Sequence, residues 1–107
     1  MSISAIMNTA LSGMQAKTRK LSTTANNVAN VMTPGYDRQV IAFSSSPAGV
    51  ETTVRSSQDM TFPDTSNVDL GQEMLSTIES EIGFKANAAV WETGADMWDV
   101  LMSIKRD

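Results

Sequence analysis

Met7, Met14, Leu21 and Val28 recur at every seventh position along the first 30 residues. Ile3, Ala10 and Leu11, then Ala25 and Val31, fall beside them on one face. This pattern predicts a long amphipathic helix over residues 2–30 with coiled-coil-like packing. A second seam is imperfect, because Lys17 and Thr24 fall on it. Such a helix would span roughly 42 Å. Its apolar side chains are small or flexible, which suits close packing against several neighbours. A surface helix packed on its own domain is the simpler reading. The helix is longer than the remaining chain could cover, however, so packing against other chains is preferred.

A second apolar pattern fills the last third. Leu70, Met74, Ile78 and Ile82 form a stripe, and Phe84, Trp91 and Trp98 follow at intervals of seven, flanked by Ala88, Ala95, Leu101 and Met102. A helix over residues 68–105 is predicted, about 37 residues and ~55 Å long. Asn67 or Asp69 can cap it, and Glu73 adds negative charge near its positive end. Aromatic residues at helical spacing make packing surfaces far more often than cofactor sites. The expected fold is mainly α, with two long amphipathic terminal helices packed as an antiparallel coiled-coil-like hairpin. Met7, Met14, Leu21 and Val28 would be buried against Ile82, Phe84, Trp91 and Trp98.

Between the helices the pattern breaks at a corner. Asn26, Asn27 and Asn30 are weak helix formers, and Asn30 is placed to end the helix in the left-handed conformation that Asn tolerates. Thr33-Pro34-Gly35-Tyr36 reads as a type II turn, in which Pro34 fixes its own φ and Gly35 supplies the positive φ. Tyr36 is expected to lay its ring on the apolar face with the hydroxyl at the surface. Clustered asparagines can also serve a ligand or a glycan. No Asn-x-Ser/Thr occurs in this stretch, and no carboxylates gather there for a metal.

Residues 36–44 alternate partially and read as extended, 44–49 as a loop, and 49–55 as a strand rich in β-branched residues. The two extended pieces could pair as a hairpin. Residues 56–67 show no period and cross back to the second helix. Residues 1–36, 37–66 and 67–107 are thus three parts of one structural unit.

Charge and composition exclude several functions. The 107 residues carry 12 acids against 8 bases, a net charge of −4, with no histidine or cysteine. Nucleic acid requires clustered Lys and Arg, which are lacking. Disulfides and thiolate metal sites are excluded. Neither a cleavable secretory signal nor a membrane span is evident. Bases (Lys17, Arg19, Lys20) concentrate in the first helix and acids in the last. The two can attract each other within a chain or between copies. Glu79, Glu81, Glu92, Asp96 and Asp99 lack an accompanying nucleophile or cleft signal and read as solvated or partner-facing charges.

Ala10-Leu11-Ser12-Gly13-Met14, then Ala25-Asn26-Asn27-Val28-Ala29-Asn30 and Thr33-Pro34-Gly35-Tyr36, resemble the amino-terminal signature of bacterial flagellar rod and hook proteins. Asn67-Val68-Asp69-Leu70 with Glu73-Met74, then Phe84-Lys85-Ala86-Asn87 and Ile104-Lys105-Arg106, resemble that family's carboxy-terminal signature. Trp91 and Trp98 are bulkier than that pattern. The resemblance, strongest to small proximal rod proteins, implies a structural subunit exported by the flagellar type III apparatus without a cleaved signal. It would assemble with its own copies and other rod proteins into the periplasmic drive shaft. Neither enzyme activity, a cofactor nor a small-molecule substrate is implied. A cytoplasmic helical-hairpin binding module, such as an export adaptor or chaperone, is the alternative.

Overall fold

The computed structural model describes residues 2–106, apart from the Arg106 side chain. Helix α1 (Ile3–Ala29) leads through the corner to strands β1 (Gln39–Ser46) and β2 (Gly49–Ser56). Helix α2 (Leu70–Arg106) closes the order. The molecule measures 70 × 23 × 14 Å, a rod and not a ball.

Helix α1 starts where Ser2 accepts a hydrogen bond from the Ala5 amide at 3.1 Å, an N-cap that satisfies one orphan donor. Asp69 does the same for α2, accepting from the Gly71 amide at 2.9 Å. Asn67, the other candidate cap, is committed to the corner. The strands form an antiparallel hairpin in which Ser46 faces Gly49 across the tight turn, Phe43 faces Thr52 and Ile41 faces Val54. Ser44–Ser46 therefore belong to β1, not to a loop as their composition suggests. Residues 57–69 return to α2, with one isolated bridge between Phe62 and Thr65.

The helices pack antiparallel, but the face between them differs from the expected one. On α1 it comprises Ile3, Ile6, Ala10, Gly13, Lys17, Lys20, Thr24 and Asn27. On α2 it comprises Glu73, Ser76, Ser80, Gly83, Asn87, Val90, Gly94 and Met97. Both sets alternate steps of three and four, the a/d spacing of a coiled coil. Ala10, Gly13, Asn27, Glu73, Ser80 and Gly94 are buried. Small residues at the seam let the axes approach closely. A Cβ on Gly13 would lie 2.6 Å from the Asn87 amide oxygen, and one on Gly94 would lie 2.7 Å from Met7 Cγ. A Cβ on Gly83 would meet the Lys17 stem at 2.5 Å.

The seam expected to be imperfect is thus the real one. Met7 and Met14 are half-buried, while Leu21, Val28, Phe84, Trp91 and Trp98 stay exposed. Ile82 lies well out in solvent, as do Met74, Ile78 and Leu101. One partner helix covers one stripe, and the small-residue stripe admits the closer approach, so the large side chains become its border.

Candidate functional site

The corner is a polar lock built on Asn27, which is 1% exposed. Its side-chain oxygen accepts from the Gln39 amide at 2.8 Å and from the Tyr36 hydroxyl at 3.0 Å. Its amide nitrogen donates to the Gln39 carbonyl at 2.8 Å and to Glu73 Oε1 at 3.3 Å. One side chain therefore fixes α1, β1 and α2 together. Arg38 closes the lock, with Nε and Nη2 at 2.9 and 2.8 Å from Glu73 Oε1. Glu73 is itself 1% exposed, and its other oxygen is buried without a hydrogen-bond partner.

The neighbouring candidates join the same network. Asn26 donates to the Tyr36 hydroxyl at 3.0 Å and to Gln39 Oε1 at 3.1 Å. The hydroxyl thus points into the asparagine pair and not to the surface. Desolvation is the first cause raising the Tyr36 pKa above its ordinary value, and the hydrogen bond to Asn26 opposes it. Asn30 ends α1 with φ −106°, outside the left-handed region. It caps instead through its side chain, donating to the Asn26 carbonyl at 2.9 Å and accepting from the Thr33 hydroxyl at 3.1 Å. Gly35 takes φ +73° between Pro34 and Tyr36, and the Tyr36 amide donates to the Thr33 carbonyl at 3.2 Å, as a type II turn requires.

The return segment is stitched to this turn. The Gly35 amide donates to the Thr65 carbonyl, the Asn67 amide to the Tyr36 carbonyl, and the Ser66 hydroxyl to the Val31 carbonyl. Asn67 accepts from the Arg38 amide at 2.6 Å and donates to Asp37 at 2.8 Å. Asp37 also accepts from the Ser57 hydroxyl, and these two bonds, that from Ser57 first, hold its carboxyl below the ordinary value. Arg38, Asp37, Asn67 and Glu73 are parts of the corner that sequence reasoning missed. Glu73 stands 46 positions from Asn27, and only its placement near the start of α2 was legible.

The second candidate region is the border of the seam. Met7, Met14, Leu21 and Val28 stand one position after seam residues on α1, and Phe84, Trp91 and Trp98 one position after seam residues on α2. In an antiparallel pair these sets border the same edge. Leu21, Thr77 and Phe84 share one open groove along it. The β-hairpin rests on the opposite side of α1. There Ser12 accepts from the Val50 amide at 3.1 Å and Arg19 donates to Thr52 at 2.8 Å. Lys17 Nζ lies 4.9 Å from the Phe43 ring centre, a cation–π distance. Of the charges expected to attract, Lys20 meets Glu79 at 2.9 Å and keeps the Glu79 carboxyl below its ordinary value. Asn87 sits inside the seam beside Gly13, its amide donating to the Gly83 carbonyl at 2.9 Å.

The features assembled here, a heptad helical hairpin with a polar lock and an open apolar border, are those of a structural, packing protein. Residues 7–36 match the family described as flagella basal body rod protein. The chain is 41% identical over 43 residues to a flagellar hook protein FlgE of Rhizobium meliloti and 49% identical over 41 residues to that of Brucella suis. These matches cover 40% and 38% of this chain but only 11% and 10% of the hook proteins. Over this first third the chain is similar to flagellar basal-body rod and hook proteins, and it spans about a tenth of the length of the hook proteins it matches.

Proposed function

We propose that the protein is a structural subunit of the flagellar basal-body rod, similar to the small proximal rod components. It passes through the flagellar type III export apparatus and packs with its own copies and other rod proteins into a helical tube. In the periplasm that tube turns as a drive shaft and transmits torque. The observation that carries this reading is the pairing of a rod-family corner with a helical hairpin whose apolar border stays open. Leu21, Val28, Phe84, Trp91 and Trp98 stay exposed within one chain and Met7 and Met14 are only half-buried, and a neighbouring helix is the natural cover. Met74, Ile78 and Ile82 offer further apolar contacts on the outer side of α2, and Leu101 does so beyond the end of α1. Its work is mechanical and needs neither cofactor nor turnover: stiffness follows from the locked corner and the tight seam.

Purified hook–basal bodies, probed with antibody raised to this chain, test the reading. Label is expected along the rod. Label confined to the cytoplasmic fraction, with none on basal bodies, would favour the export-adaptor alternative and sink the rod assignment.

A further inference from the structure

The two ends of the 70 Å molecule are complementary to each other. At one end α2 outruns α1. Met97 and Gly94 share a groove with Ile3 and Ile6 in the first turns of α1, and beyond it α2 continues for about two turns. The a/d spacing continues through the overhang as Leu101 and Ile104, both more than half exposed. Along the paired seam α2 offers mainly Ser, Gly and Asn; where the partner runs out, it offers large apolar side chains. Lys105 sits exposed at the tip.

The corner end has the opposite half of such a contact. Met32 and Met60, 87% and 77% exposed, are the most open of the large apolar side chains described, and Phe62, 56% exposed, bridges to Thr65 in the return segment. The bonds from Gly35 to Thr65 and from Ser66 to Val31 hold the return segment against the turn, so both present their apolar side chains at the same end of the molecule. Its exposed charges include Asp59 and Asp64, opposite in sign to Lys105.

We propose that the α2 overhang of one copy seats on the corner end of the next, Leu101 and Ile104 against Met32 and Phe62, with Lys105 facing Asp59 and Asp64. The proposal rests on the subunit reading and specifies its axial contact. Different patches meet, so the contact is heterologous and adds copies without closing. The opposite charges of Lys105 on one side and Asp59 and Asp64 on the other point to a second copy of this chain as the occupant, and the apolar patches supply the area to be buried.

The chain has no cysteine, so a cross-link can be placed without background. Met32→Cys and Leu101→Cys both change exposed side chains. The full-length double variant, treated with a short bismaleimide, is expected to give a ladder of dimers, trimers and higher species. A mixture of the two single variants should stop at dimers, and each single variant alone should stay monomeric on a denaturing gel. Assemblies that sediment yet give no ladder overturn the head-to-tail contact and leave the subunit reading standing. Covalent dimers from one single variant alone mean that like ends meet, and also overturn it. Protein that neither sediments nor cross-links, under conditions where its α-helical signal is present, overturns both.

Discussion

Glu73, in the first turn of α2, accepts a hydrogen bond from Asn27, near the end of α1, with each residue 1% exposed. The bond crosses between the two helices at the point where the chain leaves one and enters the other. Its geometry explains why a chain with so small an apolar core holds a defined angle. Among the described residues the buried apolar ones are Ala10 and Ala16, and the largest fully buried side chains are Glu73 and Asn27. The fixed point of the hairpin is thus polar, and polar locks tolerate little misplacement because an unpaired buried group is costly.

The Arg38–Glu73 pair supplies the first test. Arg38→Met leaves a fully buried carboxylate with its cation gone, a change that costs about 3–5 kcal/mol. The double variant Arg38→Met/Glu73→Met removes both charges and should recover most of that loss. Denaturant unfolding followed by far-UV circular dichroism measures both. A single variant as stable as the parent would show that Asn27 alone holds the lock.

The seam glycines make a sharper test, because their neighbours differ. At Gly13 the intruding Cβ meets the amide head of Asn87, which its bond to the Gly83 carbonyl holds in place. At Gly83 it meets the stem of Lys17, a chain that can swing away. Replacing Gly by Ala favours an isolated helix by about 1 kcal/mol, and overpacking costs about 1–3 kcal/mol. Gly13→Ala should therefore destabilise and Gly83→Ala come out near neutral. Gly13→Ala/Asn87→Ala should regain the loss, read as a positive coupling in a double-mutant cycle.

These residues also mark how far the sequence could be read. Both helices, the extended insert and the Pro34-Gly35 turn were legible, because each has a local signature in period or turn chemistry. The phase of the helix pairing was not. Hydrophobicity points to Met7, Met14, Leu21 and Val28, whereas close approach selects the column one position earlier, where Gly13, Lys20 and Asn27 stand. The relevant signal was size and not polarity: Ala10, Gly13 and Thr24 face Ser76, Ser80, Gly83 and Gly94 at the same three–four spacing. The Asn27–Glu73–Arg38 lock was not legible either, since long-range polar pairs leave no local period.

Gly35 tests the corner through the backbone alone. Its φ is +73°, while the nearest atom to an added Cβ is the Pro63 carbonyl oxygen at 3.7 Å, so room is available and conformation is the constraint. A β-branched residue there costs about 1–3 kcal/mol, and Asn, which visits this region, much less. In the proposed rod role, Gly35→Val should block incorporation and abolish swarming while export continues, and Gly35→Asn should retain motility. Equal motility in the two would remove the turn from the argument.

Acid should loosen the corner and the helix pair. The Asp37 carboxyl is held below its ordinary value by Ser57 and Asn67, and that of Glu79 by Lys20. A carboxyl whose folded pKa is depressed adds stability above its unfolded pKa and loses it as pH falls through the folded one. The contribution is thus fully present at neutral pH and disappears below about pH 4. Asp37→Asn should lower stability at pH 7 and flatten the acid limb of the unfolding profile. An acid limb of unchanged slope would show that Asp37 gains nothing from its partners.

The two tryptophans report on the open border. Trp91 and Trp98 are 41% and 50% exposed, on the edge shared with Met7, Met14 and Leu21. They are the only tryptophans in the chain, so tryptophan emission, excited selectively over Tyr36, reads that edge alone. Covering it with another helix removes water from both indoles, and the emission should move to shorter wavelength as copies assemble. An aromatic anchor at the centre of an interface contributes on the order of 2 kcal/mol or more. Trp91→Ala should then raise the concentration needed for assembly roughly thirtyfold. Ile82→Ala, on the outer side of α2, should raise it less. If emission stays unshifted while particles grow, the border faces solvent in the assembly and its apolar residues serve some other contact.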